Sequence, residues 1–329
     1  MKPLRKILYI SILVLVTSCV GPGKVSFSGR IVREGLRTAM QTKAYRDGAF
    51  FDKGKTDAQK PSKWLAPKGY KLSKFKVDSV PMEFLETNLG SKKVILQLHG
   101  GAYIIGLGDG YRKLALKYNV ISGGASVLSV DYRIAPEYVF PTALMDALVA
   151  WNWLIAQGYK PENIIVVGDS AGGNLALALA EWLRDHNQKL PVAMVLMSPW
   201  TDMAAEGESH TTNLYKDPLF GQKLPKKGEP APKKLLWRPA YAGKTDLHDK
   251  YLSPAYADFQ QFPSMLIQVG SYEVLESDAE IVASKAKSVG VEVTLTEYEG
   301  MFHVFQQIQM LPESKRAWKE VAEFIKRYF

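Results

Sequence analysis

The chain has 329 residues, 47% of them apolar, which is enough for one large or two small domains with a sizeable core and marks nothing as disordered or fibrous overall. A single cysteine excludes an intrachain disulfide framework. The formal charge of +9 is a modest surplus that suits a solvated basic surface or an anionic membrane, and no nucleic-acid motif accompanies it, so no nucleic-acid partner is expected.

Lys2, Arg5 and Lys6 precede an apolar run from Ile7 to Val16, too short to span a bilayer and typical of a secretory signal, which is expected to occupy residues 1–18. The run ends in Val16-Thr17-Ser18-Cys19, which resembles a bacterial lipobox. That resemblance implies an acylated Cys19 as the first mature residue, a membrane partner reached through lipid, and a place in the bacterial cell envelope without any transmembrane helix. Val20 stands where an aspartate would signal inner-membrane retention, and so points to the outer membrane if the source has one. The stretch 19–30 reads as a Gly/Pro/Ser tether. Val32, Leu36, Ala39 and Met40 then recur at helical spacing among Arg30, Arg33 and Arg37, an amphipathic helix within an N-terminal cap segment over 31–70.

From residue 71 the pattern turns to β. Lys71–Val77 and Val80–Glu86 read as an edge pair, followed by buried-type strands at Val94–Leu98, Val127–Val130, Ile164–Val167, Val192–Met197, Met265–Val269 and Val291–Tyr298. Helices are predicted at Thr142–Ala156, from Asn174 to about Arg184, and at Ser314–Tyr328. This alternation predicts an α/β class fold, a mainly parallel sheet with helices on both faces, over 71–329. An excursion at about 201–262, rich in Pro and Lys, interrupts it. Residues 201–219 and 235–251 are expected near the site, with 222–234 as an exposed basic loop.

Gly168-Asp169-Ser170-Ala171-Gly172 lies between a strand and a helix, the setting of a nucleophile elbow that lifts the Ser170 hydroxyl clear of the backbone. A serine nucleophile also needs oxyanion donors, a base, and an acid to orient the base. His99-Gly100-Gly101-Ala102 follows strand Val94–Leu98, so the N–H groups of Gly100, Gly101 and Ala171 are the candidate donors. Of five histidines, His303 lies just past the last strand, at the carboxyl end of the sheet, and gives the chain order serine, acid, histidine of an α/β-hydrolase. Glu273, Asp278 and Asp202 compete for the acid. Ser277-Asp278-Ala279-Glu280 reads as a capping box with Ser277 as N-cap, which gives Asp278 a structural role.

The sequence resembles the hormone-sensitive-lipase-like family of α/β-hydrolase carboxylesterases from about Lys71 to the C-terminus. The resemblance rests on the 99–102 and 168–174 motifs, on 131–137, on Phe140-Pro141 leading into Asp146, on Ser198-Pro199-Trp200 and on Leu252-Ser253-Pro254. It implies an eight-stranded sheet with a helical cap, a catalytic set of Ser170, Glu273 and His303, small-molecule ester substrates, and neither cofactor nor metal. Members usually carry Asp-Pro-Leu where this chain has Glu273-Val274-Leu275, so a glutamate variant of the triad is expected, with the position of Asp202 not used as the acid. Trp64, Tyr103, Trp200, Tyr215 and Trp237 fall in or near the cap and oxyanion segments and are expected to narrow the acyl pocket, favouring short chains. The alternatives are a catalytically silent binding lipoprotein of the same fold, and an amidase or lactonase using the same triad.

Overall fold

The computed structural model describes residues 24–40, 42, 54, 62–87, 90–223, 225, 227 and 238–329; Cys19, Trp237 and most of the 222–234 loop lie outside them. Eight strands, β1 (Tyr70–Val77), β2 (Val80–Thr87), β3 (Val94–Leu98), β4 (Ser126–Val130), β5 (Ile164–Asp169), β6 (Ala193–Met197), β7 (Ser264–Gly270) and β8 (Val293–Tyr298), form one sheet in the order β1-β2-β4-β3-β5-β6-β7-β8. β2 runs antiparallel to β1 and β4, and every other pair is parallel. The eight predicted strands are all present.

β3, β4, β5 and β6 are buried at every position, as short β-branched runs covered on both faces must be. Side chains alternate between two cores. Leu96 and Val166 face Leu144, Trp151, Leu175 and Val282 of the helices α3 (Thr142–Ala156), α4 (Ala171–Asp185) and α6 (Glu276–Ser288), the single turn α5 (Ser209–Thr212) falling between the last two in the chain. Ile95 and Ile165 face the opposite layer, with Leu114 and Tyr118 of α2 (Asp109–Ile121) and Trp318, Val321 and Phe324 of α7 (Pro312–Tyr328). β1 and β2 join through Asp78 and Ser79, both at positive φ, the conformation a two-residue hairpin requires. Lysines 71, 74 and 76 line β1 and blunt this edge against further pairing.

Three local expectations change. Helix α2 was not foreseen, since Leu114, Ala115 and Tyr118 are its only buried apolar residues and Lys, Arg and Asn interrupt them. Helix α1 spans Phe27–Met40 and so begins inside the stretch read as tether. Its entry is fixed from afar: Glu313 accepts hydrogen bonds from the Ser26 backbone N–H (2.5 Å) and hydroxyl (3.1 Å). Finally, α6 begins at Glu276 after Leu275 without a side-chain cap, so Ser277 lies inside the helix and no capping box forms. Its hydroxyl is drawn instead into a buried contact with Ser209 at 2.6 Å.

α1 leans on the carboxyl end of the sheet. The Arg33 guanidinium donates to the Gly300 carbonyl (3.0 Å) and lies over the Tyr272 ring, while Arg37 donates to the carbonyls of Tyr215 and Lys216. Among the described residues no helix is long and apolar enough to cross a membrane.

Candidate active site

The chain passes from β3 to β4 on one side and places β5 on the other, so a crevice opens beyond the carboxyl ends of β3 and β5, where open α/β sheets collect ligands. Ser170 sits there between β5 and α4 with φ 53° and ψ −121°, a strained conformation for a residue with a side chain. The surrounding packing forces it. A Cβ at Gly168 would lie 2.2 Å from the Gly172 carbonyl oxygen, and one at Gly172 would lie 2.1 Å from that of Leu98. Glycines two residues before and after the serine are therefore steric requirements, which is the physical content of the pentapeptide.

Past β7 and β8, two loops bring Glu273 and His303 together: the His303 Nδ1 is 2.8 Å from Glu273 Oε2. A carboxylate can only accept, so Nδ1 carries the proton and Nε2 is left with its lone pair. The fully buried Glu273 also accepts from the Ser198 hydroxyl (2.8 Å) and the Gly270 N–H (2.6 Å), which offsets the burial of its charge. Ser198 in turn accepts from the Val304 N–H at 3.1 Å, so one hydroxyl fixes both the acid and the loop that carries the histidine. Phe220 meets the His303 ring edge-on, 4.7 Å between centroids.

The other two carboxylates are committed elsewhere. Asp278 accepts from the Thr201 and Asp202 N–H groups (2.7 and 2.8 Å) and pairs with His210 Nε2 at 2.8 Å. Asp202 caps the 203–207 turn through the N–H groups of Ala204, Glu206 and Gly207 and accepts from the Tyr256 hydroxyl. The remaining histidines are structural by their contacts. His99 stacks on Tyr132 at 4.0 Å, His186 stacks on Trp182, and His248 is exposed beside Asp246 and Glu206.

On the oxyanion side one expectation is corrected. The Gly100 N–H donates to the Tyr111 hydroxyl (2.8 Å) and to Asp169 Oδ1 (3.2 Å), so it is unavailable to a ligand. Gly101 and Ala102 have positive φ, and among the described residues their N–H groups have no protein acceptor. Ala171 opens α4, where the first N–H groups lack helical partners. The N–H groups left to serve as candidate donors are thus those of Gly101, Ala102 and Ala171. The 99–102 motif contains these residues, but which N–H turns inward depends on Tyr111 in the next helix and on Asp169, 69 residues further along the chain. Asp169 accepts further from the Tyr111 hydroxyl (2.9 Å) and the Gln307 amide (3.2 Å), and burial pushes its pKa up to about 6.

Ser170 faces two cavities. One of about 20 Å³ is walled by Trp200, Met203, Phe220, Val274 and Leu275. The other, of about 380 Å³, is shared by Ser170 and His303 and lined by Leu36, Ile105, Tyr111, Leu219, Phe302 and Ile308. Of the aromatic residues expected to narrow the site, Trp200 does so. Tyr103 is buried behind it, stacked on Tyr241 at 3.8 Å with its hydroxyl on Asn174, and Trp64 packs on the opposite core. Tyr215 contributes its carbonyl to Arg37, and Trp237 lies outside the described residues. In the sequence Asn174 stands out only as the last residue of the 168–174 motif. Its amide donates to the carbonyls of Trp200 and Leu252 and so binds the 198–200 and 252–254 motifs to the elbow helix.

A strained serine between β5 and α4, a histidine after the last strand and the 1-2-4-3-5-6-7-8 sheet define a class, and residues 95–307 match the model of the alpha/beta hydrolase fold family. The chain belongs to that family. It is 38% identical over 235 residues to an acetyl-hydrolase of Streptomyces hygroscopicus, covering 71% of this chain and 75% of the relative. It is 34% identical over 244 residues to an esterase of Acinetobacter venetianus, covering 74% and 77%. Among solved structures, an esterase from the bacterial hormone-sensitive lipase family superposes with a TM-score of 0.73 at 32% identity, covering 93% of this chain and 99% of the other. The protein is a carboxylic ester hydrolase of the hormone-sensitive-lipase-like group.

Proposed function

We propose that the protein is a lipid-anchored serine carboxylesterase that cleaves short acyl groups from larger alcohols through an acyl-enzyme on Ser170. The observation that carries this reading is the 2.8 Å contact between His303 and the buried Glu273, on the rim of the same cavity as Ser170. His303 Nε2 takes the Ser170 proton as Oγ attacks the acyl carbon. The N–H groups of Gly101, Ala102 and Ala171 receive the charge that develops on the carbonyl oxygen. The imidazolium, held by Glu273, then protonates the departing alkoxide, and water repeats the cycle to release the acid.

The two cavities support a division of the ester into a small acyl half and a larger alcohol half. A space of about 20 Å³ holds roughly one water-sized group, so it suits an acetyl methyl, whereas the chamber of about 380 Å³ takes the alcohol. The acetyl-hydrolase relative supports the same choice of acyl group. The anchor rests on the 16–19 lipobox resemblance and on Cys19 as sole cysteine.

Fluorophosphonate labelling of the wild-type chain, lost in Ser170→Ala, tests the nucleophile. An acyl panel with a constant alcohol tests the pocket: kcat/KM should fall from acetyl through hexanoyl, and a steady rise would sink the assignment. Cys19→Ser should release the protein from the membrane fraction or block its maturation.

A further inference from the structure

We infer that the mouth of the alcohol cavity rests on an anionic bilayer, so that the enzyme draws ester substrates directly from the lipid phase; this inference rests on the Cys19 anchor proposed above. Ser26 is pinned to Glu313 at the start of α7, and α1, which begins at the next residue, runs on to Leu36, which with Ile308 lines the cavity wall. Cys19 lies only seven residues before Ser26, so even a fully extended chain keeps the lipid within roughly 25 Å of that point. A domain of this length is roughly 50 Å across, so the leash spans about half of that width and keeps the lipid on the side of the molecule that carries Ser26 and α1.

The surface at that end fits the assignment. Phe27, on the first turn of α1, and Met310, just before α7, are 49% and 74% exposed and flank the Ser26–Glu313 contact. Lys24, Arg30 and Lys315 are exposed around them, against the single exposed acid Glu34 on α1. Apolar side chains with a basic surround are what an interfacial surface presents to anionic headgroups. The small acyl space and the large alcohol chamber then describe a short-chain ester of a lipophilic alcohol, a molecule that partitions into bilayers.

The test uses the lipidated full-length protein in vesicles of phosphatidylglycerol and phosphatidylethanolamine with brominated acyl chains. Met310→Cys and Val289→Cys are each labelled with an environment-sensitive fluorophore, Cys19 being blocked by its lipid. Val289 is 42% exposed and precedes β8, at the other end of the sheet. The label at position 310 should shift to the blue and be quenched, and the label at 289 should not. A protein that sediments with vesicles while position 310 stays in water overturns the docking alone; a protein that does not sediment overturns the anchor and the docking with it. Independently, the double variant Phe27→Ser/Met310→Ser should hydrolyse ethyl acetate in solution at the wild-type rate and decyl acetate in vesicles several-fold more slowly. Equal rates on decyl acetate would also overturn the inference.

Discussion

Glu273 and Asp278 are five residues apart, equally buried, and each within 2.8 Å of a histidine, yet their surroundings give them different work. Glu273→Gln removes the charge that orients His303, and kcat should drop by about 10³- to 10⁴-fold while circular dichroism reports a folded protein. Asp278→Asn loosens the start of the excursion, where two backbone N–H groups and His210 share one carboxylate; it should cost about 2 to 3 kcal/mol of unfolding free energy in denaturant titration. That is more than the modest loss a helix cap would give. Asp169 adds a pH signature. Burial raises its pKa to about 6 from an ordinary 3.8, so the folded protein holds this proton more tightly than the unfolded chain. The stability it contributes is full below about pH 4, declines as pH rises, and is gone above about 6, an effect of about 3 kcal/mol at most. Denaturation midpoints between pH 4 and 8 should therefore slope more steeply in wild type than in Asp169→Asn. Above pH 6 the protein keeps this costly charge next to Ser170, where it accepts the Gly100 N–H and leaves those of Gly101 and Ala102 without a protein acceptor among the described residues.

At the scale of elements, α1 and the excursion form the walls that the core sheet lacks. α1 has few apolar contacts of its own, with Val32 and Leu36 packed beside Phe302 and Phe305, and it is latched by Arg33 to Gly300 and Tyr272. Arg33→Met should speed hydrogen exchange across residues 27–40 and raise KM for esters of bulky alcohols several-fold, with little change in kcat, because the altered wall touches the alcohol and not the reacting atoms. An equal fall in kcat for every alcohol would mean that the latch instead sets the His303 loop. The stretch from β6 to β7 is tied down differently. Buried Asp217 accepts from the N–H groups of Leu219, Phe220 and Val274, which places Phe220 against His303.

For the molecule as a whole, these ties make the site and the core one cooperative body. Asn174 on α4, Asp278 on α6 and Asp217, through the Val274 N–H in the loop after β7, each connect the excursion to the sheet layer by buried hydrogen bonds. Esterase activity and near-ultraviolet ellipticity should thus be lost at one denaturant midpoint. An earlier loss of activity would show the excursion opening by itself.

The sequence by itself determined the eight strands, the two-faced α/β layering, the elbow serine and the histidine after the last strand. All of these depend on local period, turn sterics or chain order, which are written in consecutive residues. It also carried Glu273 as the candidate acid, through resemblance, since three carboxylates satisfied the local pattern; the fold brings that carboxylate, and not Asp278 or Asp202, to His303. What the tertiary structure decided was every question of direction. Gly100 turns to Tyr111 and Asp169, Ser277 is pulled into α6 by Ser209, Ser198 joins Glu273 to the His303 loop, and among the described residues only Trp200 of the expected aromatic residues lines the smaller cavity. Each of these outcomes depends on a partner in another element of the fold, and the hydrogen bond or packing contact that selects it exists only once the strands have been assembled in the order β4-β3-β5-β6-β7.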